Sequence, residues 1–470
     1  MQLALWFVVC VSATVLLTRR PVVVVLMAVT LWCLVPGVAG HQLTGQTSGV
    51  LALQPAVVLV LVATGVRVLY APRSLRDVVR ARPEWTVLLA MVAAVSLVTG
   101  YLNGLGHASI TTGVNQVLGP VLLFFLIGAA VLEQPAHVEL IRRWLIGLAS
   151  LEAVIALAQK LTGSTLLYAS DYDGQVFRRT SPDRWMGTFD HPLVLSLFLC
   201  LAIFWLTGLR RTWLAMTLMV LFAGGILMSQ SRVGTGVAVA GTLYFVLRAR
   251  VPLDRRVAVL VVVVAAAAVA VRLGVVDSLL ARVQDDTGSS TARKLALEYF
   301  AQHFDDYRWF GHGLNASFDV SGGAGLGTSF ESAFLMYTID LGFVVAVLYF
   351  GVMLWTVVRA AGRSYLPGIA GGAAVAVVVP QTFSALSGVT AAPALVWTAC
   401  ALAGFCTLGR PRSSAGAGRP HPVSARRQHP GSAPRSRGQV PAPQGSPVPR
   451  RPSVPQHAPG SHRAPVSARR

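Results

Sequence analysis

The chain has 470 residues, of which 54% are hydrophobic and only 12% are charged. Soluble globular proteins carry about 25% charged residues, so this composition excludes an ordinary soluble domain. The formal net charge is +20, but twelve arginines and no acidic residue follow position 409, so much of the basic excess belongs to a C-terminal tail.

Long apolar runs follow one another along almost the whole chain, and many approach the ~20 residues that a helix needs to cross a bilayer. In lipid, only a helix satisfies every backbone polar group within one segment. The sequence therefore predicts an all-α polytopic membrane protein with about twelve or thirteen transmembrane helices. The predicted spans lie at residues 3–18, 21–38, 50–69, 85–102, 113–132, 144–162, 190–208, 213–229, 233–247, 257–274, 331–357, 367–388 and 390–408.

Arginines cluster in alternate connections between these spans. Because cytoplasmic connections carry an excess of Lys and Arg, we assign these connections and the C-terminus to the cytoplasm, and the first residues to the outside. Residues 1–409 then form a transmembrane domain. Residues 410–470 are mainly Pro, Ser, Ala, Gly and Arg, which predicts a disordered basic cytoplasmic tail that can lie against anionic lipid. The orienting arginines include Arg19, Arg20, Arg73, Arg76, Arg80, Arg82, Arg142, Arg143, Arg359 and Arg363.

The longest predicted external connection is a loop at residues 275–330. Ser289, Ser290 or Thr291 can cap a helix at Ala292–His303, which places several apolar side chains on one face. Six glycines follow this helix and predict a mobile stretch. Because loops of this length generally carry function, we expect this partly helical loop to take part in the chemistry.

The sequence MGTFDHP, at Met186–Pro192, lies where another external connection meets the seventh span. Asp190 and His191 are adjacent there, and they can orient a substrate or move a proton. The structural alternative is that Asp190 caps a helix that has proline at its start.

Two arginines lie on the predicted external side, where topology does not require them. Arg232 ends an SQSR turn and Arg293 lies near the start of the loop helix, and both can hold phosphate oxygens through the planar guanidinium fork. The alternatives are an Arg232 that snorkels to lipid headgroups and an Arg293 on a solvated helix face. Glu331 at the start of the eleventh span, Asp340 within it and Glu152 in the sixth span are acids in apolar segments, where they are energetically costly. Each can serve a function or pair with an arginine that holds helices together.

The chain contains no nucleotide-binding, dinucleotide-binding, serine-hydrolase or metal-binding motif. We therefore expect no cofactor and no metal. The energy for a reaction would come from an activated substrate carried by the membrane.

The order of these motifs resembles the O-antigen ligase and O-antigen polymerase family of bacterial envelope proteins. A GTFDHP element opens a helix, an SR turn follows two helices later, and a large external loop carries a helix led by an arginine. The resemblance covers about residues 152–349 and is specific only as an ensemble. Its elements are Gly187–Pro192, Ser231–Arg232, Arg293–Phe300, Phe310–Leu314 and Ile339–Gly342.

The resemblance implies transfer of a glycan from an undecaprenyl-diphosphate donor to a sugar acceptor, outside a bacterial cytoplasmic membrane. Arg232 and Arg293 would hold the diphosphate without a metal. Glu331 would be the first candidate for orienting the acceptor hydroxyl and His312 the second, with Asp190 and His191 as further catalytic candidates. Ligases of the family carry a histidine shortly before the helix that follows the large loop. Here that segment reads TSFES, which favours a polymerase or a more distant relative.

Two other functions stay open from the sequence. A transporter of a small anion or of a polysaccharide intermediate would also span the membrane many times, although we find no internal repeat of broken helices. A non-catalytic scaffold of envelope assembly is the third possibility. For the polymerase or ligase, the expected partners are the undecaprenyl-diphosphate-linked glycan, membrane lipid and other polysaccharide-assembly proteins, and not nucleic acid.

Overall fold

The structure is a computed structural model that describes residues 1–49, 51–173, 183–209, 211–248, 287–326, 330–384, 386–388 and 390–408, with a few positions between 249 and 286. Most of the predicted span at residues 257–274, the first part of the predicted external loop and the predicted tail at residues 410–470 lie outside the described residues.

Every regular element of the described residues is helical. Four helices of the N-terminal half begin at proline, whose fixed φ suits a first helical position. Its helices are α1 (Gln2–Leu16), α2 (Pro21–Leu34), α3 (His41–Thr44), α4 (Pro55–Tyr70), α5 (Pro72–Ala81), α6 (Pro83–Leu102), α7 (Gly106–Thr112), α8 (Gly119–Glu133), α9 (His137–Thr162) and α10 (Ala169–Tyr172).

The second half supplies the central helix of the bundle, α11 (Pro192–Trp205), which is almost completely buried. A 3-10 turn at Val379–Thr382 follows helix Ile369–Val378. The remaining helices are α12 (Thr212–Ser229), α13 (Arg232–Arg248), α14 (Thr287–Gln302), α15 (Phe304–Tyr307), α16 (Ala316–Gly323), α17 (Ala333–Leu341), α18 (Phe343–Arg363), α19 (Ile369–Val378) and α20 (Ala392–Cys406).

Four helices of the described residues are long and apolar enough to cross a membrane: α6, the continuous segment Gly106–Glu133, α12 and α18. Two bent pairs raise this number to six if each pair is one span: α2 with Gly37–Thr44, bent by 97°, and α4 with α5, bent by 105°. The structure confirms an all-α membrane protein with several apolar helices. The predicted total of about twelve or thirteen spans is larger than these four to six.

Two predicted spans are shorter or broken for local reasons. The run at residues 331–357 divides at Gly342, whose φ of +94° suits glycine, into α17 and α18. The run at residues 367–388 ends its α-helix at Val378, and Pro380 lies in the 3-10 turn that follows. The apolar pattern alone does not contain these breaks.

Two arginines at one end of the bundle bind backbone carbonyl groups. Arg142 is fully buried and donates from Nη1 to the carbonyl of Trp205 over 2.8 Å. Arg82 is also buried and donates to the carbonyl of Gly404 and to Oγ1 of Thr407 near the end of α20. These contacts satisfy carbonyl groups at helix C-termini, which have no partner within the helix. The candidate site lies at the opposite end of the same helices.

Candidate functional site

The GTFDHP segment is fixed by two polar side chains of α9. Glu152 accepts hydrogen bonds from the backbone N–H of Thr188 over 2.9 Å and from its hydroxyl over 2.6 Å. Gln159, two turns later on the same face, accepts from the N–H of Gly187 over 3.0 Å and donates to its carbonyl over 2.7 Å. The sequence left open an arginine partner for Glu152, but its carboxylate binds this segment instead.

Glycine is required in this segment. Gly187 has a φ of +64°, and a Cβ there would lie 2.3 Å from Oε2 of Glu152. Only a residue without a side chain lets the backbone approach the carboxylate so closely. The glycine of the motif therefore has a packing role, and α9 sets the position of the residues that follow it.

Asp190 holds a turn of the N-terminal third of the chain. Its two carboxylate oxygens accept from the backbone N–H groups of Gly37 and Val38, each over 2.9 Å. The expected alternative, that Asp190 caps α11, is wrong: His191 is the N-cap, and its Nδ1 accepts from the N–H of Leu193 over 3.1 Å. The proline at the first helical position is present as expected.

Burial shifts the pKa values of this pair in opposite directions. It raises the pKa of Asp190 to about 6, against the opposing effect of the two backbone hydrogen bonds. It lowers the pKa of His191 to about 3, and the positive charge of Arg184 adds to this effect. His191 is therefore neutral near pH 7, and because its Nδ1 accepts a hydrogen bond, its proton is on Nε2. This geometry suits positioning better than proton transfer.

The 3-10 turn at Val379–Thr382 joins His191 to the loop helix α14. The ring of His191 stacks on that of Phe383, with 6.4 Å between centroids. The carbonyl of the preceding residue, Thr382, accepts from Nη2 of Arg293 over 3.4 Å. Three of the predicted site residues, His191, Arg293 and Glu331, therefore lie around residues 382 and 383.

Arg293 and Glu331 form an ion pair, with 3.1 Å between Nε and Oε2. Their side chains are 45% and 34% exposed, so the pair is accessible to a ligand and contributes little to stability. Glu331 has a φ of +48°, an uncommon conformation for a residue with a side chain. The helix that carries Arg293 begins at Thr287, earlier than the predicted start at Ala292.

Arg232 is exposed and begins α13, directly after a tight turn. Gln230 in this turn has a φ of +52°, and Oγ of Ser231 accepts from the N–H of Gly234 over 3.0 Å. Arg184, which precedes the GTFDHP segment, donates from Nε to the carbonyl of Ser229 over 3.0 Å. Because α13 also packs against the Val379–Thr382 turn, Arg232 belongs to the same end of the bundle as Arg293.

His312 has a different environment. Its backbone N–H donates to the carbonyl of Ile339 over 2.8 Å, and its ring lies 5.1 Å from that of Tyr307. Among the described contacts of His312, none reaches Arg293 or Glu331. The FGHGL segment that contains it packs on the break before α18, where Oδ1 of Asp340 accepts from the N–H of Ser317 at the start of α16.

A cavity of about 760 Å³ lies beside Asp190 and His191. Most of its wall comes from the turn after α2, from the segment before α4 and from α7, regions to which the sequence assigned no role. Among its polar lining residues are His41, Gln46, Thr47, Ser48, His107 and Thr111.

No sequence motif marks these residues, because they are dispersed in a polar connection, HQLTGQTSG, and in a short helix. Only the bend after α2 brings the connection under the GTFDHP segment. Asp190 was identified, but its partner turn was not.

No protein-family model matches the chain, and a search of the curated proteins gives no match. Among the residues that the structure describes, no group of three or more His, Cys, Asp and Glu side chains is arranged to hold a metal ion. The argument for function therefore depends on the geometry of the site.

Proposed function

We propose that the protein transfers a glycan from an undecaprenyl-diphosphate-linked donor to a sugar acceptor, as a polymerase or ligase. The observation that carries this proposal is the accessible Arg293–Glu331 ion pair, which is linked through Thr382, Phe383 and His191 to a cavity of about 760 Å³. The pair provides a cation for a diphosphate and a carboxylate for a hydroxyl, next to a space that can hold a sugar. The TSFES segment favours the polymerase.

In the proposed step, an acceptor hydroxyl oxygen forms a bond to the anomeric carbon of the donor glycan. The bond between that carbon and the diphosphate oxygen breaks, and the electron pair leaves with undecaprenyl diphosphate. Arg293 and Arg232 stabilise the charge that develops on the leaving group. Glu331 orients the hydroxyl and receives its proton.

The ion pair links donor binding to acceptor activation. A diphosphate that approaches Arg293 competes with Glu331 for the guanidinium group, and its greater charge and several oxygens favour the exchange. The released carboxylate is then available to the acceptor hydroxyl. Asp190 and His191 position this site, and His312 keeps the loop packed on α17.

We further propose that the protein lies in a bacterial cytoplasmic membrane, crosses it about twelve or thirteen times and has its site on the external side. The basic tail at residues 410–470 then lies on the cytoplasmic side. Partners are the lipid-linked glycan, membrane lipid and other polysaccharide-assembly proteins, with no nucleic acid and no cofactor.

The test compares Arg232→Ala and Arg293→Ala with Arg363→Ala, an exposed arginine at the opposite end of α18. We expect both site variants to abolish glycan transfer while the protein remains inserted and abundant, and the control to keep full transfer. Arg232→Lys should restore only part of it, because an ammonium group lacks the two-pronged donor geometry. Full-length polymer from both alanine variants would refute the proposed binding of the diphosphate by Arg232 and Arg293.

A transporter of a small anion or polysaccharide intermediate is the second candidate, and one observation favours it. Broken helices frequently form transport sites, and the described residues contain breaks after α2 and at Gly342. Proteoliposomes that hold the purified protein and take up an undecaprenyl-diphosphate-linked glycan without forming a glycosidic bond would favour this function over transfer.

A further inference from the structure

The cavity beside Asp190 has a partly apolar wall along which neutral hydrogen-bonding groups are distributed. Hydroxyl and amide side chains dominate its polar surface, and of the described residues that line it none is Lys, Arg or Glu. Hydroxyls both donate and accept, and an amide offers one group of each kind. The members with these groups are Gln46, Thr47, Ser48, Gln54, Thr111, Thr112 and Thr390.

The titratable groups of this wall are largely engaged with the protein. Both oxygens of Asp190 accept from backbone N–H groups, and Nδ1 of His191 accepts from Leu193. The arginines of the site, Arg232 and Arg293, do not line the cavity. A phosphate would therefore meet no described arginine or lysine inside it, whereas a ligand with many hydroxyl groups would find matched partners.

The wall is held in place before any ligand enters. Asn115 accepts at Oδ1 from the N–H of Gln54 over 2.9 Å and donates from Nδ2 to the carbonyl of Ala52 over 3.1 Å. Gln42 donates to Oδ2 of Asp171 over 2.7 Å, which secures α3 to the neighbouring segment. A preformed wall lowers the entropic cost of binding.

We infer that this cavity is the acceptor subsite, and that it binds an uncharged oligosaccharide. That the bound glycan is an acceptor depends on the proposed function, whereas the binding of a neutral glycan in the cavity is a separate claim. His191 connects the two regions, because it lines the cavity and stacks on Phe383, next to the Thr382 carbonyl that Arg293 contacts. The charged donor and the neutral acceptor are thus divided between two adjoining regions.

The experiment uses the full-length protein in nanodiscs. Ala108 is an exposed residue of the cavity wall, so Ala108→Trp fills the cavity, and His107→Ala removes one polar contact. Leu102→Trp, on the exposed end of α6 and outside the lining, is the matched control. The probes are maltohexaose, cellohexaose and mannohexaose as neutral glycans, hyaluronan hexasaccharide as an anionic one, and undecaprenyl diphosphate.

We expect at least one neutral hexasaccharide to bind more tightly than the hyaluronan hexasaccharide. Its binding should weaken about tenfold or more in Ala108→Trp and less in His107→Ala, and be unchanged in Leu102→Trp. Undecaprenyl diphosphate should bind Ala108→Trp normally and Arg293→Ala weakly. If only the expectation for undecaprenyl diphosphate fails, the result counts against donor binding by Arg293 and leaves the acceptor subsite intact. Absence of binding by every neutral hexasaccharide, tighter binding of the anionic one, or equal binding by Ala108→Trp would overturn the subsite.

Discussion

The pair Arg293–Glu331 has two possible roles, and exchanging the charges separates them. If the pair only holds the loop to α17, Arg293→Glu combined with Glu331→Arg restores whatever each single change loses. If Arg293 binds a diphosphate, the exchange restores loop packing but not transfer, because a carboxylate then faces the phosphates.

We expect the second result, with a loss of stability of at most about 1 kcal/mol for either single change, since the pair is partly exposed. Glycan transfer and thermal unfolding are measured on the same four proteins. Recovery of transfer in the double variant would assign the pair a structural role only.

Asp190 leads to a prediction about the pH dependence of stability, because its carboxylate is buried and precedes the first residue of helix α11. Its pKa of about 6 is above the unfolded value, so ionisation opposes folding. Its contribution to stability is fully present below about pH 4 and is lost as the pH rises through about 6. Between about pH 7.5 and about pH 5, the wild type should therefore gain roughly 1 kcal/mol relative to Asp190→Asn.

Unfolding of the detergent-solubilised protein at several pH values measures this difference. Asp77→Asn, on the exposed side of α5, is the matched control and should follow the wild-type curve. Parallel curves for the wild type and Asp190→Asn would mean that the carboxylate does not titrate in this range.

Among the elements, the loop after α14 is held by close backbone contacts. A Cβ at Gly311 would lie 2.3 Å from the carbonyl carbon of Asp340, and one at Gly313 would lie 2.7 Å from Cα of Gly100. The expected role of these glycines, to let the loop move, is thus replaced by packing at two positions. Gly322 differs, because a Cβ there would meet no atom within 4 Å.

Gly311→Ala should therefore destabilise the protein by about 1–3 kcal/mol, as overpacking of a closed contact does. Gly322→Ala, within helix α16, should be neutral or stabilising, since alanine favours a helix. Chemical unfolding and protease sensitivity of the loop measure both variants. Equal stability of the two variants would show that the backbone at Gly311 and Asp340 can move apart without loss of stability.

For the whole molecule, α18 gives a direct test of orientation. Its 21 residues rise about 31 Å, close to the thickness of a bilayer core of about 30 Å. The carbonyl of Trp309 lies against Gly342 at one end of it, and Arg363 ends the other. A membrane-impermeant maleimide should label Trp309→Cys in intact cells, and Arg363→Cys only after the membrane is opened.

The five native cysteines are all buried, so they should remain unlabelled. Labelling of Arg363→Cys from outside would reverse the orientation. It would also move the site to the cytoplasmic face and contradict transfer on the external side.

The tail is a second test at this scale. Removal of residues 410–470 should leave glycan transfer largely intact, because the proposed topology assigns the predicted tail to the cytoplasmic side and the site to the external side. Polymer length in cells is measured together with the amount of inserted protein. Loss of transfer by a truncated protein that is correctly inserted would give the tail a function.

The helical class can be predicted from the amino-acid sequence, because the apolar composition indicates a membrane and a membrane permits few other ways to satisfy backbone polar groups. It also marked Asp190, His191, Arg232, Arg293 and Glu331, since charge and polarity are unusual next to apolar spans. The contacts of these residues become visible only in the folded protein. The pairing of Arg293 with Glu331 and of Asp190 with the turn at Gly37 joins segments 38 and 153 residues apart. The cavity required the bend after α2, which periodicity cannot reveal because both arms of the bend remain helical.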